Sequence, residues 1–178
     1  MENIKKQNTK TNSAQISTKR LIIKLFVKLG IIALAIWVAL SFVLSITIMS
    51  GNQMYPAIKD GDLVIALRLQ RPYLNAAVLY ENENRKCVGR VIGLPGSVID
   101  ISDNGALMVN GVIPSEEVFY PTFKAKGSNV EFPLTVGNNQ VFILNDFRDN
   151  TNDSRVYGLF DMKNVQGNIL LVIRRRGF

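Results

Sequence analysis

The sequence predicts a mostly β domain carried on a single N-terminal transmembrane helix. Three observations carry that prediction. An uncharged apolar run extends from Leu29 to Met49, basic residues crowd its N-terminal side, and beyond residue 50 short apolar runs alternate with turn residues. The 178 residues divide accordingly into a basic segment (1–28), a membrane helix (29–49) and an outer domain (50–178), with no internal repeat and no second outer domain.

The first segment is expected to be cytoplasmic. It carries Lys5, Lys6, Lys10, Lys19, Arg20, Lys24 and Lys28 against Glu2 alone. Its polar part, 1–19, is rich in Lys, Asn, Thr, Ser and Gln and lacks the apolar content to fold by itself. The run that follows, at about 1.5 Å per helical residue, spans the roughly 30 Å hydrocarbon core of a bilayer. Ser41, Ser45 and Thr47 are tolerable there because a hydroxyl can bond back to a helix carbonyl. No basic residue follows until Lys59, so the positive-inside rule puts residues 50–178 outside the cell membrane, on a single-pass anchor. A cleaved signal peptide would have a shorter apolar region and small residues after it, where this chain has Ile-Thr-Ile-Met-Ser-Gly-Asn. A buried core helix would show a polar face, and none is present.

The outer domain reads as strands at Leu63–Arg68, Ala77–Tyr80, Cys87–Leu94, Val98–Ile101, Leu107–Val109, Val141–Leu144 and Ile169–Arg174. Asp103-Asn104-Gly105 and Asn110-Gly111 are tight-turn signals, because Asn and Gly tolerate positive φ, and Pro95-Gly96 marks another turn. Residues 120–139 lack periodicity and read as an extended excursion.

Charge and composition exclude several functions. Of the net +7, residues 1–28 contribute +6, leaving +1 for the remainder. A domain so near neutrality offers no footprint for a phosphate backbone, so no nucleic-acid partner is expected. There is no histidine, which rules out Ser-His-Asp and Cys-His sites and every His-bearing zinc arrangement. The single Cys87 cannot form an internal disulfide. No metal-ligand cluster or phosphate-cradling loop is visible, so neither metal nor cofactor is expected. Arg174-Arg175-Arg176 reads as the solvated end of a strand, with contact to anionic lipid as the alternative.

Four stretches stand out: Gln53-Met54-Tyr55-Pro56, Gly89-Arg90-Val91-Ile92-Gly93-Leu94-Pro95-Gly96, Asn145-Asp146-Phe147-Arg148, and Asp153-Ser154-Arg155. Together they resemble the characteristic boxes of the type I signal peptidases, in the right order over residues 50–178. Gly61-Asp62-Leu63-Val64 matches that family's Gly-Asp-x-Val step as well. In the family, the position of Gln53 holds a serine nucleophile within Ser-Met-x-Pro. The position of Gly89 holds a lysine general base within Lys-Arg-Val-Ile-Gly-x-Pro-Gly. Such a lysine works because desolvation lowers its pKa, letting the neutral amine take the hydroxyl proton. Neither group is replaced here. The Gln53 amide nitrogen has its lone pair delocalised into the carbonyl, and Gly89 has no side chain. Only the Gln53 backbone N–H could still serve an oxyanion pocket.

No neighbour reads as a substitute. Arg90 does not deprotonate in proteins, and Lys86 should face away from the Gly89 side of its strand. Cys87 should face the cleft, but without histidine or lysine beside it a thiol is poorly activated, and it reads as a small buried hydrophobe. A rearranged active peptidase using Cys87 is the weaker alternative.

The resemblance implies further roles. Met54, Tyr55 and Pro56 keep the shape of the nucleophile turn. Asp146, Arg148, Asp153 and Arg155, with Ser154, would brace the cleft through charge-assisted bonds. Thr151 keeps a hydroxyl where the family's serine supports the lysine. Asn145, Phe147, Ser97 and Asn75-Ala76 depart from the family pattern. The expected peptide-binding cleft is Gln53, Met54, Tyr55, Pro56, Gly89, Arg90 and Val91, and replacing Lys by Gly is expected to widen it. The size, single anchor and double loss resemble the catalytically defective, pilus-associated branch of the family in Gram-positive bacteria. That resemblance implies a non-enzymatic chaperone or scaffold at the outer membrane face, with pilin subunits and a class C sortase as partners. A general secretion scaffold is the other alternative.

Overall fold

A computed structural model describes residues 2–115 and 120–174, with side chains from residue 19 onward. Arg175 and Arg176 of the C-terminal basic run lie outside the described residues.

The chain forms two units, residues 1–42 and 43–178. The first is a helix, α1 (Glu2–Val43). Within it Lys19–Val43 is long and apolar enough to cross a bilayer. Ser41 Oγ donates to the Trp37 carbonyl at 2.8 Å, the back-bond expected of a hydroxyl in an apolar helix. Two expectations need correction. The helix begins at Glu2 and takes in the polar residues expected to lack structure, since extending an established helix is far easier than starting one. It also ends at Val43 rather than Met49. Leu44–Ile48 is instead a strand, β1, because Ile46, Thr47 and Ile48 are β-branched and a short apolar run fits strand or helix alike.

The second unit is built from antiparallel strands. β2 (Leu63–Leu67), β3 (Ala77–Asn82), β4 (Arg85–Gly93), β5 (Val98–Ile101), β6 (Leu107–Val109), β8 (Gln140–Leu144) and β10 (Val165–Ile173) fall where the apolar runs predict them. Two short strands, β7 (Leu134–Thr135) and β9 (Phe160–Asp161), and a four-residue helix, α2 (Ser154–Tyr157), were not predicted. A seven-stranded sheet runs β1-β2-β10-β3-β4-β8-β9, and a three-stranded sheet runs β6-β5-β7. The expected turns close hairpins: Gly105 (φ 84°) lies between β5 and β6, and Asn110 and Gly111 (φ 53° and 78°) join Val109 to Val112.

The core has three adjoining parts. Met49, Met54, Ile58, Val64 and Leu79 fill one, Tyr80, Val91, Ile143 and Phe160 the next, and Ile92, Ile99, Ile101 and Phe142 the third, under the small sheet. Strand β4 contributes to all three through Val88, Val91 and Ile92. On the outer face of β1, β2 and β10 two cross-strand rows are apolar, Ile46–Ile65–Leu171 and Ile48–Leu63–Ile173. Ile46, Ile48, Leu171 and Ile173 are each about half exposed or more.

Candidate functional site

The Gln53 turn follows β1 directly. Its geometry comes from short polar side chains: Gly51 N–H donates to Asp60 Oδ1 at 2.6 Å, and Asp60 N–H to Asn52 Oδ1 at 3.1 Å. Gly51 holds φ +88°, and a Cβ there would stand 2.9 Å from Gln53 Oε1. The carboxamide therefore lies over a residue whose backbone conformation a side chain adopts only with strain. Phe147 N–H donates to the Gln53 carbonyl at 2.9 Å, which ties this turn to the loop after β8.

That loop carries Asp146, Arg148, Asp153, Ser154 and Arg155, and hydrogen bonds hold each of them. Arg155 Nε and Nη2 donate to the two carboxylate oxygens of Asp153 at 3.0 and 2.7 Å, with both side chains completely buried. Asp153 also accepts from the backbone N–H of Asn145 and of Arg155. Arg155 Nη1 reaches the Arg148 carbonyl at 2.7 Å, Arg148 Nη1 donates to Thr122 Oγ1 at 2.7 Å, and Ser154 Oγ accepts from Ile143 N–H at 2.9 Å. Asp146 turns the other way. Arg90 holds it with a two-pronged grip at 2.7 and 2.6 Å while also donating to the Asn75 carbonyl at 2.8 Å. Thr151 contributes its backbone carbonyl, which accepts from Asp153 N–H at 2.8 Å.

Between the Gln53 turn and the end of the β3–β4 hairpin lies a cavity of about 460 Å³. Thr47, Ile48, Ser50 and Gln53 form one wall. Tyr80, Asn82, Glu83, Arg85, Lys86, Cys87 and Val88 form the other, and Asn145, Asn152 and Tyr157 close the end. Of the seven residues expected to line the cleft, Gln53 borders this cavity and the other six do not. Met54 and Val91 are core side chains with no exposed surface. Arg90 is committed to Asp146, which makes it a bracing residue. Tyr55 is an exposed surface residue with Lys59 Nζ 5.4 Å above its ring, and Pro56 is exposed beside it. Lys86, expected to face away, borders the cavity because the hairpin end itself forms the wall.

Gly89 overturns a second expectation. A Cβ at this position would collide with Ile143 Cγ2 and stand 3.2 Å from Tyr80 Cε1 and 3.3 Å from the Leu144 carbonyl oxygen. The missing lysine has not widened the groove. Ile143 and Tyr80 fill its place, and both are fully buried. Tyr80 is fixed there by its ring contact with Phe160 at 4.8 Å. Burial pushes its phenol far above the usual tyrosine range, with Cys87, Asp153 and Tyr157 adding to the effect, so it stays protonated at neutral pH.

Cys87 borders the cavity as expected, half-buried, with Sγ 3.8 Å from the Arg85 carbonyl. Burial raises its pKa, and Arg85 opposes that only in part. It rests as a thiol, without the thiolate a nucleophile needs. Sequence reasoning missed Tyr80, Ile143 and the hairpin residues Asn82, Glu83 and Arg85. The one available signal was Glu83-Asn84 between two apolar runs, whose positive φ values (48° and 62°) make a tight turn.

The sequence has relatives among known proteins. The profile of the signal peptidase family, peptidase S26, matches residues 22–173. Signal peptidase IB of Staphylococcus aureus is 24% identical over 172 residues, covering 85% of this chain and 88% of its own. Signal peptidase I S of Bacillus subtilis is 26% identical over 141 residues, covering 71% and 75% respectively. A crystal structure of a signal peptidase I from Enterococcus faecalis aligns with 57% of this chain and 98% of its own, at 26% identity and a TM-score of 0.46.

Proposed function

The chain belongs to the signal peptidase family, peptidase S26, and from that premise we propose that it is a member that binds without cutting. It acts as a membrane-anchored chaperone or scaffold that holds pilin subunits for a sortase during covalent pilus assembly. One observation carries the non-cutting part: the volume a lysine base would need at Gly89 is occupied by Ile143 and Tyr80. A carboxamide at position 53 and a protonated thiol at Cys87 supply no alternative nucleophile. Losing both members of a nucleophile–base unit leaves at most the residual effect of binding and oxyanion geometry.

The binding part is supported by what remains. Gln53 of the turn and Asn145 and Asn152 of the following loop border a cavity beside the β3–β4 hairpin. Such a space can take an extended chain as an added strand. The pilus assignment rests on the resemblance of the single anchor and the double loss to the pilus-associated branch.

A membrane location is supported by α1, whose Lys19–Val43 part is long and apolar enough to cross a bilayer. The positive flank, residues 1–28, favours a cytoplasmic N-terminus.

The test is a deletion strain blotted for high-molecular-weight pilus polymer. The gene as it stands should restore polymer, and purified full-length chain should leave a secretory pre-protein intact. Polymer formed without the gene refutes the pilus role, and cleavage of the pre-protein refutes the binding mechanism.

A further inference from the structure

The cavity lies between two strand edges that have no partner strand among the described residues. β1 ends the seven-stranded sheet. The Met49 N–H and C=O bond inward, to Asp62 and Gly61, so strand alternation turns the backbone groups of Ile48 and Ile46 outward. On β4, Val91 bonds back to Asn75 and Ala76, and the same alternation turns the groups of Lys86 and Val88 away from β3. β8 covers that edge only from Arg90 onward. Thr47 and Ile48 of one edge and Lys86 and Val88 of the other border the same space, so a chain laid along it meets backbone donors and acceptors on both sides.

The charge on the walls is one-sided. Among the residues bordering the cavity, Glu83, Arg85 and Lys86 carry formal charge, two cations against one anion. Arg85 and Lys86 are exposed, and neither makes an ion pair among the described residues. Glu81 stands across the hairpin from Lys86 but takes its hydrogen bond from Gln166 Nε2, at 3.2 Å. Glu83 stands in the turn itself, at φ 48°. The facing wall is uncharged, and so are Asn145 and Asn152 at the end. A cationic occupant is repelled there, whereas a carboxylate meets a guanidinium fork beside an ammonium. A lipid phosphate offers the same charge, but it cannot use the two rows of backbone groups.

We infer that the extended peptide held in this cavity carries an acidic side chain, and that Arg85 and Lys86 are the specificity-determining residues that receive it. This rests on the peptide-holding reading above.

The experiment uses the full chain in phosphatidylcholine nanodiscs and blocked Ala/Val pentapeptides. Glu is walked through the five positions and compared at each with its neutral isostere Gln. Calorimetry reads the affinities. In one register the Glu peptide should bind about fivefold more tightly than its Gln partner, and added salt should shrink that ratio. Arg85→Gln combined with Lys86→Gln should bring it to about one. Lys86→Glu combined with Arg85→Gln should turn the preference toward a Lys peptide. Thermal unfolding of each variant, matching the parent, excludes loss of fold. Binding with no Glu preference, or a preference that survives the neutral double variant, overturns the charge reading alone. Lys86 shielded from acetylation only when phosphatidylglycerol enters the disc, with no Glu preference, assigns the cations to lipid and overturns it too. If no peptide binds in any register, the peptide-holding reading fails along with it.

Discussion

Arg155 and Asp153 face each other two residues apart with both side chains at zero exposure, joined through two parallel N–H···O bonds. The pair also gathers the Arg148 carbonyl and the backbone N–H of Asn145, so it fixes the loop that carries the Gln53 turn through Phe147. A buried ion pair of this kind is costly to halve, because the surviving charge has no water to turn to. Asp153→Ala should destabilise the chain on the order of 3–5 kcal/mol. Thermal unfolding of the full chain in detergent checks this, and a loss under about 1 kcal/mol would show that the pair does not hold the loop.

Arg90 and Asp146 form a second two-pronged pair, part-exposed on the arginine side. Lysine can supply the charge but not the fork, nor the third bond to the Asn75 carbonyl. Arg90→Lys should therefore cost about 1 kcal/mol, much less than breaking the Asp153 pair. The same unfolding measurement, run beside Asp153→Ala, tests the ranking.

These two pairs were only partly visible in the sequence. The ordered boxes carried Asp146, Asp153 and Arg155 to the right loop, because family bracing depends on residue type at fixed spacing. Nothing in that spacing said that Arg90, next to a lost base, would turn to Asp146. The strands from Leu63 onward followed apolar alternation, whereas β1 hid inside the apolar run of α1, where hydropathy looks the same for helix and strand. β7 and β9 have two residues each, too few for any period to register. The filling of the Gly89 site depends on Ile143 and Tyr80, which lie 54 positions after and nine before it in the chain, and no local pattern reports such a contact.

Tyr80 sets the alkaline limit. Its phenol ionises far above the value near 10 of an unfolded tyrosine because burial disfavours the phenolate. A group with a raised folded pKa contributes stability that is fully present below its unfolded pKa. That stability is lost as pH rises above it, because the unfolded state sheds the proton first. Unfolding temperature should therefore fall from about pH 10 upward, and Tyr80→Phe should flatten that fall relative to its own value at pH 8. A parallel fall in both proteins would show that other groups set the limit.

Gly51→Ala tests the turn beneath Gln53. The position holds φ +88°, and an added methyl would press on the carboxamide, 2.9 Å from Oε1 and 3.1 Å from Nε2. Backbone strain alone amounts to about 1 kcal/mol. The Gln53 side chain also has to move, so the unfolding temperature should fall further than backbone strain alone would lower it. A variant that melts like the parent would show that the turn accommodates a methyl at position 51 freely.

The filled Gly89 site makes the obvious repair fail. Restoring a serine at 53 and a lysine at 89 supplies both chemical groups. The lysine Cβ, however, would enter the space of Ile143 Cγ2, on a buried β-branched side chain that has little freedom to withdraw. Overpacking of this kind typically costs about 1–3 kcal/mol, and relieving it shifts the backbone that would have to aim the amine at a hydroxyl at 53. Gln53→Ser with Gly89→Lys should therefore melt lower than the parent and leave a pre-protein uncut. Adding Ile143→Ala removes the colliding methyl. That triple variant should be less destabilised than the sum of its parts, because the two sites share one volume. Unfolding temperatures and a gel assay of pre-protein cleavage read both outcomes. A double variant that cuts and melts like the parent would show that Ile143 and Tyr80 yield freely, and that only the two side chains separate this protein from its cutting relatives.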